Sequence, residues 1–475
     1  MDTHKVVILE IDQDDQHFSY LASIDDALSQ ANLQVEMLQE TIDSVNHLRP
    51  QCDKLDYILS ACSGALCGVI DIFLVGKPGE SPIGNITDKW FDNRVCDFAK
   101  ICGWKGSKSG KDATSSAIGF LERHFGVPYD QRGAGDAGSM IYDLNPRNHH
   151  FKSLGHNPSL LGLFFSILDQ FTNSSHFVSE GRLLELTDAS KGFNLRGKTI
   201  PGKIWFGFVN WFAHLMSDVA GSSGGNTRGM GIPSPLWTWT NDVIALKAML
   251  GIPVNEFDKD VNELALNLYE NGFDFRFQTA QCIPVFINEL IVRFFYSIRR
   301  LMKYYETTAK EERSFKKLWS ACEPFTNPTV KRMLTVAHGT FCVVDAGDAV
   351  VRAFATGEGN FNALEFFLRL NVAGVGRFTI CLYGEAKLAF HIHEAEKEAE
   401  FAHKQKRLTE YYIEGLKTLQ VIYDDAEYLT FIDDLKNNDP IKGFSKTATL
   451  AQKRGVPDRQ VLKSKEDIDN YFKIR

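Results

Sequence analysis

Apolar runs nearly long enough to cross a bilayer, yet interrupted by acids, constrain this 475-residue chain more than any other feature. They lie at Leu59–Gly76, Ser159–Phe171, Ile204–Gly221, Cys282–Ile298 and Met333–Phe354. A longer sixth run, Phe361–Phe390, contains Arg369, Arg377, Glu385 and Lys387. Crossing the hydrocarbon core takes about 20 mostly apolar residues, and a carboxylate inside such a run is costly unless it is paired or bound to a cation. None of the six therefore reads as a clean transmembrane span. Leu59–Gly76 comes nearest in length, and its Ser63, Gly64, Cys67 and Gly68 permit close helix–helix approach. A mean hydropathy of −0.19 speaks against a conventional polytopic transporter. The expected fold is all-α: a large multi-helix bundle with very apolar central helices, either docked in a bilayer or buried within a soluble body, plus long charged C-terminal helices.

Periodicity supports helix almost throughout. Between Ile24 and Leu48 the positions Leu28, Leu33, Val35, Leu38, Ile42 and Val45 recur at helical spacing, and Pro50 follows as a stop. Ala386–Leu435 is rich in Glu, Lys, Ala and Leu, with Glu398 and Glu400 ahead of Lys404 and Lys406, which predicts partly solvated helices suited to a protein partner. Strand signals are confined to Lys5–Ile11 and His176–Leu186. The polar stretch from Asn437 reads as a mobile tail. These boundaries divide the chain into an N-terminal segment with its amphipathic helix (1–55), an apolar helical core (56–385), a charged helical segment (386–436) and the tail (437–475).

The 52 basic against 60 acidic residues give a net charge of −8, so no overall field draws nucleic acid to the surface. Nine cysteines without a C-x-x-C pair suit a reducing compartment. The N-terminal MDTHKVVILEIDQDD lacks a secretory cleavage pattern, and the chain is expected to be intracellular. No G-x-G-x-x-G after a strand, Walker loop, G-x-S-x-G elbow or Cys/His dyad supports a dehydrogenase, nucleotide hydrolase, serine hydrolase or thiol enzyme.

Metal-ligand chemistry concentrates in two segments. In PRNHHFKSLGHNPSLLGLFFSILDQF, His149, His150 and His156 precede an apolar helix that Asn157 can cap and Pro158 can start. In FVNWFAHLMSDVAGSSG, His214 and Asp218 stand four apart, so one helix face presents both to a single ion. Asp71, in GALCGVIDIF, adds a third acid in apolar surroundings. His149 reads as an exposed loop residue. Asp169 is expected to pair with an arginine, and Asp345 and Asp348 to form a salt-bridge network with Arg352. The glycine-rich Gly221–Gly231 segment carries Arg228, a side chain suited to clamping a phosphate.

The order of these residues resembles the inner-membrane-associated metal-dependent hydrolases, a family distantly similar to the zinc-dependent phospholipase C group. Asp71 comes first, then His150 and His156 ahead of a small-residue apolar helix, then His214-x-x-x-Asp218 running into glycines. The match covers Asp71–Gly221. Val69 and Ile70 precede Asp71 where the family has proline, Phe151 follows His150 in place of arginine, the step to His156 is one residue longer, and Asn157 replaces serine. His149 and His150 thus remain alternatives for the first ligand. The resemblance implies a membrane-associated hydrolase of a phosphoester, phospholipids included, with Zn²⁺ (or Mn²⁺ or Fe²⁺) held by Asp71, His150, His156, His214 and Asp218. Asp71 or Asp218 would accept the proton of the attacking water, and Arg228 would hold the phosphoryl group. The same buried Asp and His residues also suit a non-enzymatic membrane or scaffold protein in which they fix helix register.

Overall fold

The computed structural model describes residues 17–107, 112–126, 143–145, 147–172, 174–187, 197–221, 231–424, 426–436 and 440–473. Among these the chain is helical apart from one two-stranded antiparallel hairpin. It divides into two units, one running from Pro50 to Lys387 and the other joining Met1–Arg49 to Leu388–Arg475. The strand expected at Lys5–Ile11 lies outside the described residues.

In the larger unit, α2 (Lys54–Ile70) begins on a capping box. Asp53 Oδ1 accepts the Asp56 amide at 2.9 Å, and Asp56 Oδ2 accepts the Asp53 amide at 3.0 Å. The helix closes with one π-helical turn, Asp71–Val75. The helices α3 (Pro82–Ile101), α4 (Ala113–His124), α5 (His149–Lys152) and α6 (Leu160–Thr172) follow, then the strands β1 (Ser174–Ser179) and β2 (Arg182–Thr187). The run expected as a single strand at His176–Leu186 is broken by Glu180 and Gly181, whose positive φ values of 51° and 74° make the tight turn of a hairpin. Next come α7 (Ile200–Asp218), α8 (Pro235–Met249), α9 (Glu256–Glu270), α10 (Phe275–Thr307), α11 (Phe315–Cys322), α12 (Pro328–Thr356) and α13 (Ala363–Arg369). Finally α14 (Val372–Asp424) contributes its residues up to Lys387.

Folding lengthens three of the apolar runs. Lys54–Val75, Phe275–Thr307 and Pro328–Thr356 are each long and apolar enough to cross a membrane, which corrects the expectation that no clean span exists. Large apolar side chains stand exposed along them, including Phe73, Phe286, Phe294, Val343 and Val351. Several polar residues on or beside them find partners. Arg299 bridges Asp53 and Asp56, Arg300 reaches Asp56 at 3.0 Å, Ser63 donates to Asn288 Oδ1 at 2.7 Å, and Arg293 and Arg377 hold Glu289. Close approach of α2 and α12 depends on small residues: a β-carbon at Gly64 would come under 3.0 Å from the Ala337 carbonyl oxygen.

In the other unit, α1 (His17–Leu48) lies antiparallel to the distal part of α14. Arg49 meets Glu396 at 2.5 Å, Lys406 donates to Gln39 at 2.7 Å and Gln420 to Asp25 at 2.7 Å, while Ile24, Ala27 and Leu416 pack between the helices. The charged segment is thus half of an intrachain helix pair. Beyond it come α15 (Ala426–Lys436), α16 (Pro440–Lys453) and α17 (Lys465–Lys473), so the expected mobile tail is helical over most of its described length. Lys453 secures α16 to Glu427 of α15 at 2.7 Å.

Asp169 pairs with His176 rather than with an arginine. Its Oδ1 lies 2.5 Å from His176 Nδ1, and its Oδ2 accepts the His176 amide at 3.2 Å, which ties β1 to α6. Burial alone would lower the His176 imidazole, but the Asp169 hydrogen bond and charge raise it above its ordinary value. The stability that protonated His176 adds is full below about pH 6.5, the unfolded value, down to the acid range where Asp169, raised by its own burial, takes up a proton, and is lost as pH rises through the raised folded value of His176. Chemical denaturation at successive pH values should show this loss in the wild type, and Asp169→Asn should flatten it.

Candidate metal centre

Thr199 starts α7 by accepting the Gly202 amide at 3.2 Å, with Pro201 in the first turn. Nineteen residues of helix then deliver His214 and Asp218, four apart, to one face at its C-terminal end. Opposite them, the single turn of α5 presents His149 and His150. Ser153 extends the chain, and a 3₁₀ turn, Leu154–His156, brings His156 back beside them. The cap foreseen at Asn157 is made by Ser159, whose Oγ accepts the Gly162 amide at 3.0 Å. The Asn157 amide instead donates to the Leu154 carbonyl at 3.0 Å and so closes the His156 turn.

The imidazoles converge on one oxygen. Asp218 Oδ2 lies 3.3 Å from His156 Nδ1, 3.5 Å from His214 Nε2 and 4.0 Å from His150 Nε2. Ligand atoms set tetrahedrally around zinc at about 2.0–2.2 Å are about 3.3–3.5 Å apart, so the observed separations are close to those of a coordination shell. His150, His156 and Asp218 each offer one ligand atom within 4.8 Å of the other two, and the His214 ring centroid lies 4.7 Å from that of His156.

All four residues are buried. His156 Nε2, both ring nitrogens of His214 and Asp218 Oδ2 have no hydrogen-bond partner. Polar atoms left in that state are expensive, and a cation at their centre would satisfy Asp218 Oδ2 together with the imidazole nitrogens that face it. Burial, reinforced by His150 and His214, pushes the His156 imidazole down to about 3. Burial would raise the Asp218 carboxyl, but His214, His150 and His156 hold it well below the ordinary carboxylate range. Neutral imidazole beside ionised carboxylate is the protonation state a divalent ion requires. The residues present therefore fit such an ion.

Four of the five proposed ligands meet here. The fifth does not: Asp71 Oδ1 accepts from Asn371 Nδ2 at 2.5 Å, and its carboxyl hydrogen-bonds Asp345. Asp345 is accordingly not part of a network with Arg352, which pairs with Asp348 at 2.8 Å. Arg228 lies outside the described residues, although the two ends of its segment are together, since a β-carbon on Gly231 would come under 3.0 Å from the Gly221 carbonyl oxygen. His149, expected in solvent, is buried with its ring centroid 4.0 Å from that of His150. Its burial, with His150 and His156 beside it, pushes its imidazole well below the ordinary histidine value. The apolar neighbour Phe151, packed on Tyr269, was the signal that this turn faces inward. No protein-family model, curated protein or solved structure matches this chain.

Proposed function

We propose that the protein is a membrane-associated, metal-dependent hydrolase of a phosphoester, with a phospholipid as the substrate best suited to its apolar helices. The observation that carries this reading is the convergence of His150, His156 and His214 on Asp218 Oδ2 at 3.3–4.0 Å. In it, His150, His156, His214 and Asp218 hold the ion, zinc suiting this donor set best and Mn²⁺ or Fe²⁺ being alternatives. A divalent ion in such a site supplies Lewis-acid activation of water and of a phosphoryl oxygen. Asp218 uses Oδ2 toward the cluster, which leaves Oδ1, 3.4 Å from Ser217 Oγ, to accept a proton from attacking water. His149 lies buried beside the cluster, its ring centroid 4.0 Å from that of His150 and 5.9 Å from that of His156. The three long apolar helices support a membrane location, and the motif order of the inner-membrane-associated hydrolases supports the reaction class.

The test is turnover of phosphomonoesters, phosphodiesters and phospholipid vesicles by the purified chain with Zn²⁺ or Mn²⁺. Metal-dependent release of product that disappears in His214→Ala supports the proposal. Bound metal with no turnover on any of these substrates overturns the enzyme reading.

A further inference from the structure

Four buried side chains that the metal centre does not use meet where the chain turns by 73° between α13 and α14. At this break Asn371 donates its Nδ2 to Asp71 Oδ1 at 2.5 Å and to the Gln281 main-chain oxygen at 2.9 Å. Its amide N–H donates to Asp345 Oδ2 at 2.8 Å. The carboxyls of Asp71 and Asp345 hydrogen-bond each other. Gln281 approaches from α10 and donates its Nε2 to the Leu370 carbonyl at 3.0 Å, so its amide group sits on the break. Its Oε1 is buried there without a hydrogen-bond partner, on a side chain with 0% exposure.

Two carboxyls joined by a hydrogen bond share one proton and keep one negative charge. The groups acting on the pair are Asn371 and Asp348, and Asp348 is engaged by Arg352, so neither neutralises that charge. Inside apolar helices an uncompensated charge is expensive, and broken apolar helices commonly hold small cations on exposed oxygen atoms. We propose that Asp71, Asp345 and Gln281 Oε1 bind one hard monovalent cation of the Na⁺ class. Oxygen-only donors disfavour zinc and copper, and the single net charge matches a monovalent ion. This site shares no residue with the histidine cluster.

The experiment is ²²Na⁺ binding to the detergent-purified full chain in choline chloride, with unlabelled Na⁺ and K⁺ as competitors. Saturable retention approaching one ion per chain is expected. Asp71→Asn and Asp345→Asn should each weaken it about tenfold or more, since even lost outer partners cost metal sites about 10–100-fold, while Asp169→Asn, paired with His176 at the hairpin, should leave it unchanged. If either carboxamide variant fails to elute as a single species, Gln281→Leu, which removes an oxygen ligand and no charge, makes the same comparison. A carboxyl pair that only shares a proton would give no saturable retention in the wild type, and that result overturns the proposal. So does wild-type affinity in the folded variants.

Discussion

Asp218→Ala is expected to strip the divalent ion from the protein and to lower metal-dependent hydrolysis by about 10³-fold or more, the scale of several kcal/mol of lost Lewis-acid stabilisation. Asp218 Oδ2 is the atom on which His150, His156 and His214 converge, and among the described residues Asp218 is the one carboxylate of that group. The loss in affinity should exceed the roughly 10–100-fold that removal of an outer partner costs a metal site. Elemental analysis alongside circular dichroism checks it. Folded Asp218→Ala protein with wild-type metal content would place the ion elsewhere.

Gly64→Ala should be strongly destabilising. The new β-carbon would come under 3.0 Å from the Ala337 carbonyl oxygen, and main chain cannot rotate aside as a side chain can. Separating α2 from α12 enough to admit it should cost about 1–3 kcal/mol or more, outweighing the roughly 0.5–1 kcal/mol that alanine gains over glycine within a helix. Gly347→Ala, on α12 with nothing within 4 Å of the added atom, should be neutral or stabilising. Thermal unfolding of both variants in one detergent gives the comparison. Equal melting temperatures would mean that α2 and α12 do not pack this closely.

Local spacing made much of this legible in the sequence. An i, i+4 step fixes His214 and Asp218 to one helical face whatever surrounds them, and the two short turns that carry His150 and His156 are equally local. The long apolar runs likewise announced central helices. Asp71 shows the limit: its apolar setting says that the carboxyl needs a partner, but that partner, Asn371, lies 300 residues away. The partner of Asp169 is hidden for a related reason, since the hairpin turn at Glu180 and Gly181, inside a strand-like run, helps to set His176 against it. The burial of His149 is legible only through its apolar neighbour Phe151, because adjacency to a ligand does not reveal which way a single helical turn faces. The helices of the tail are hidden because polar composition describes a solvated surface as well as an unfolded one, and α16 and α17 are amphipathic helices of that kind.

X-ray absorption at the zinc edge of the purified wild-type chain tests the central claim most directly. The predicted spectrum has one metal per chain in a nitrogen and oxygen shell at about 2.0–2.2 Å, with imidazole multiple scattering from three histidines that is reduced or lost in His214→Ala. A sulfur shell at about 2.3 Å, drawn from any of the nine cysteines, or a protein that binds no zinc, manganese or iron at all, would contradict it.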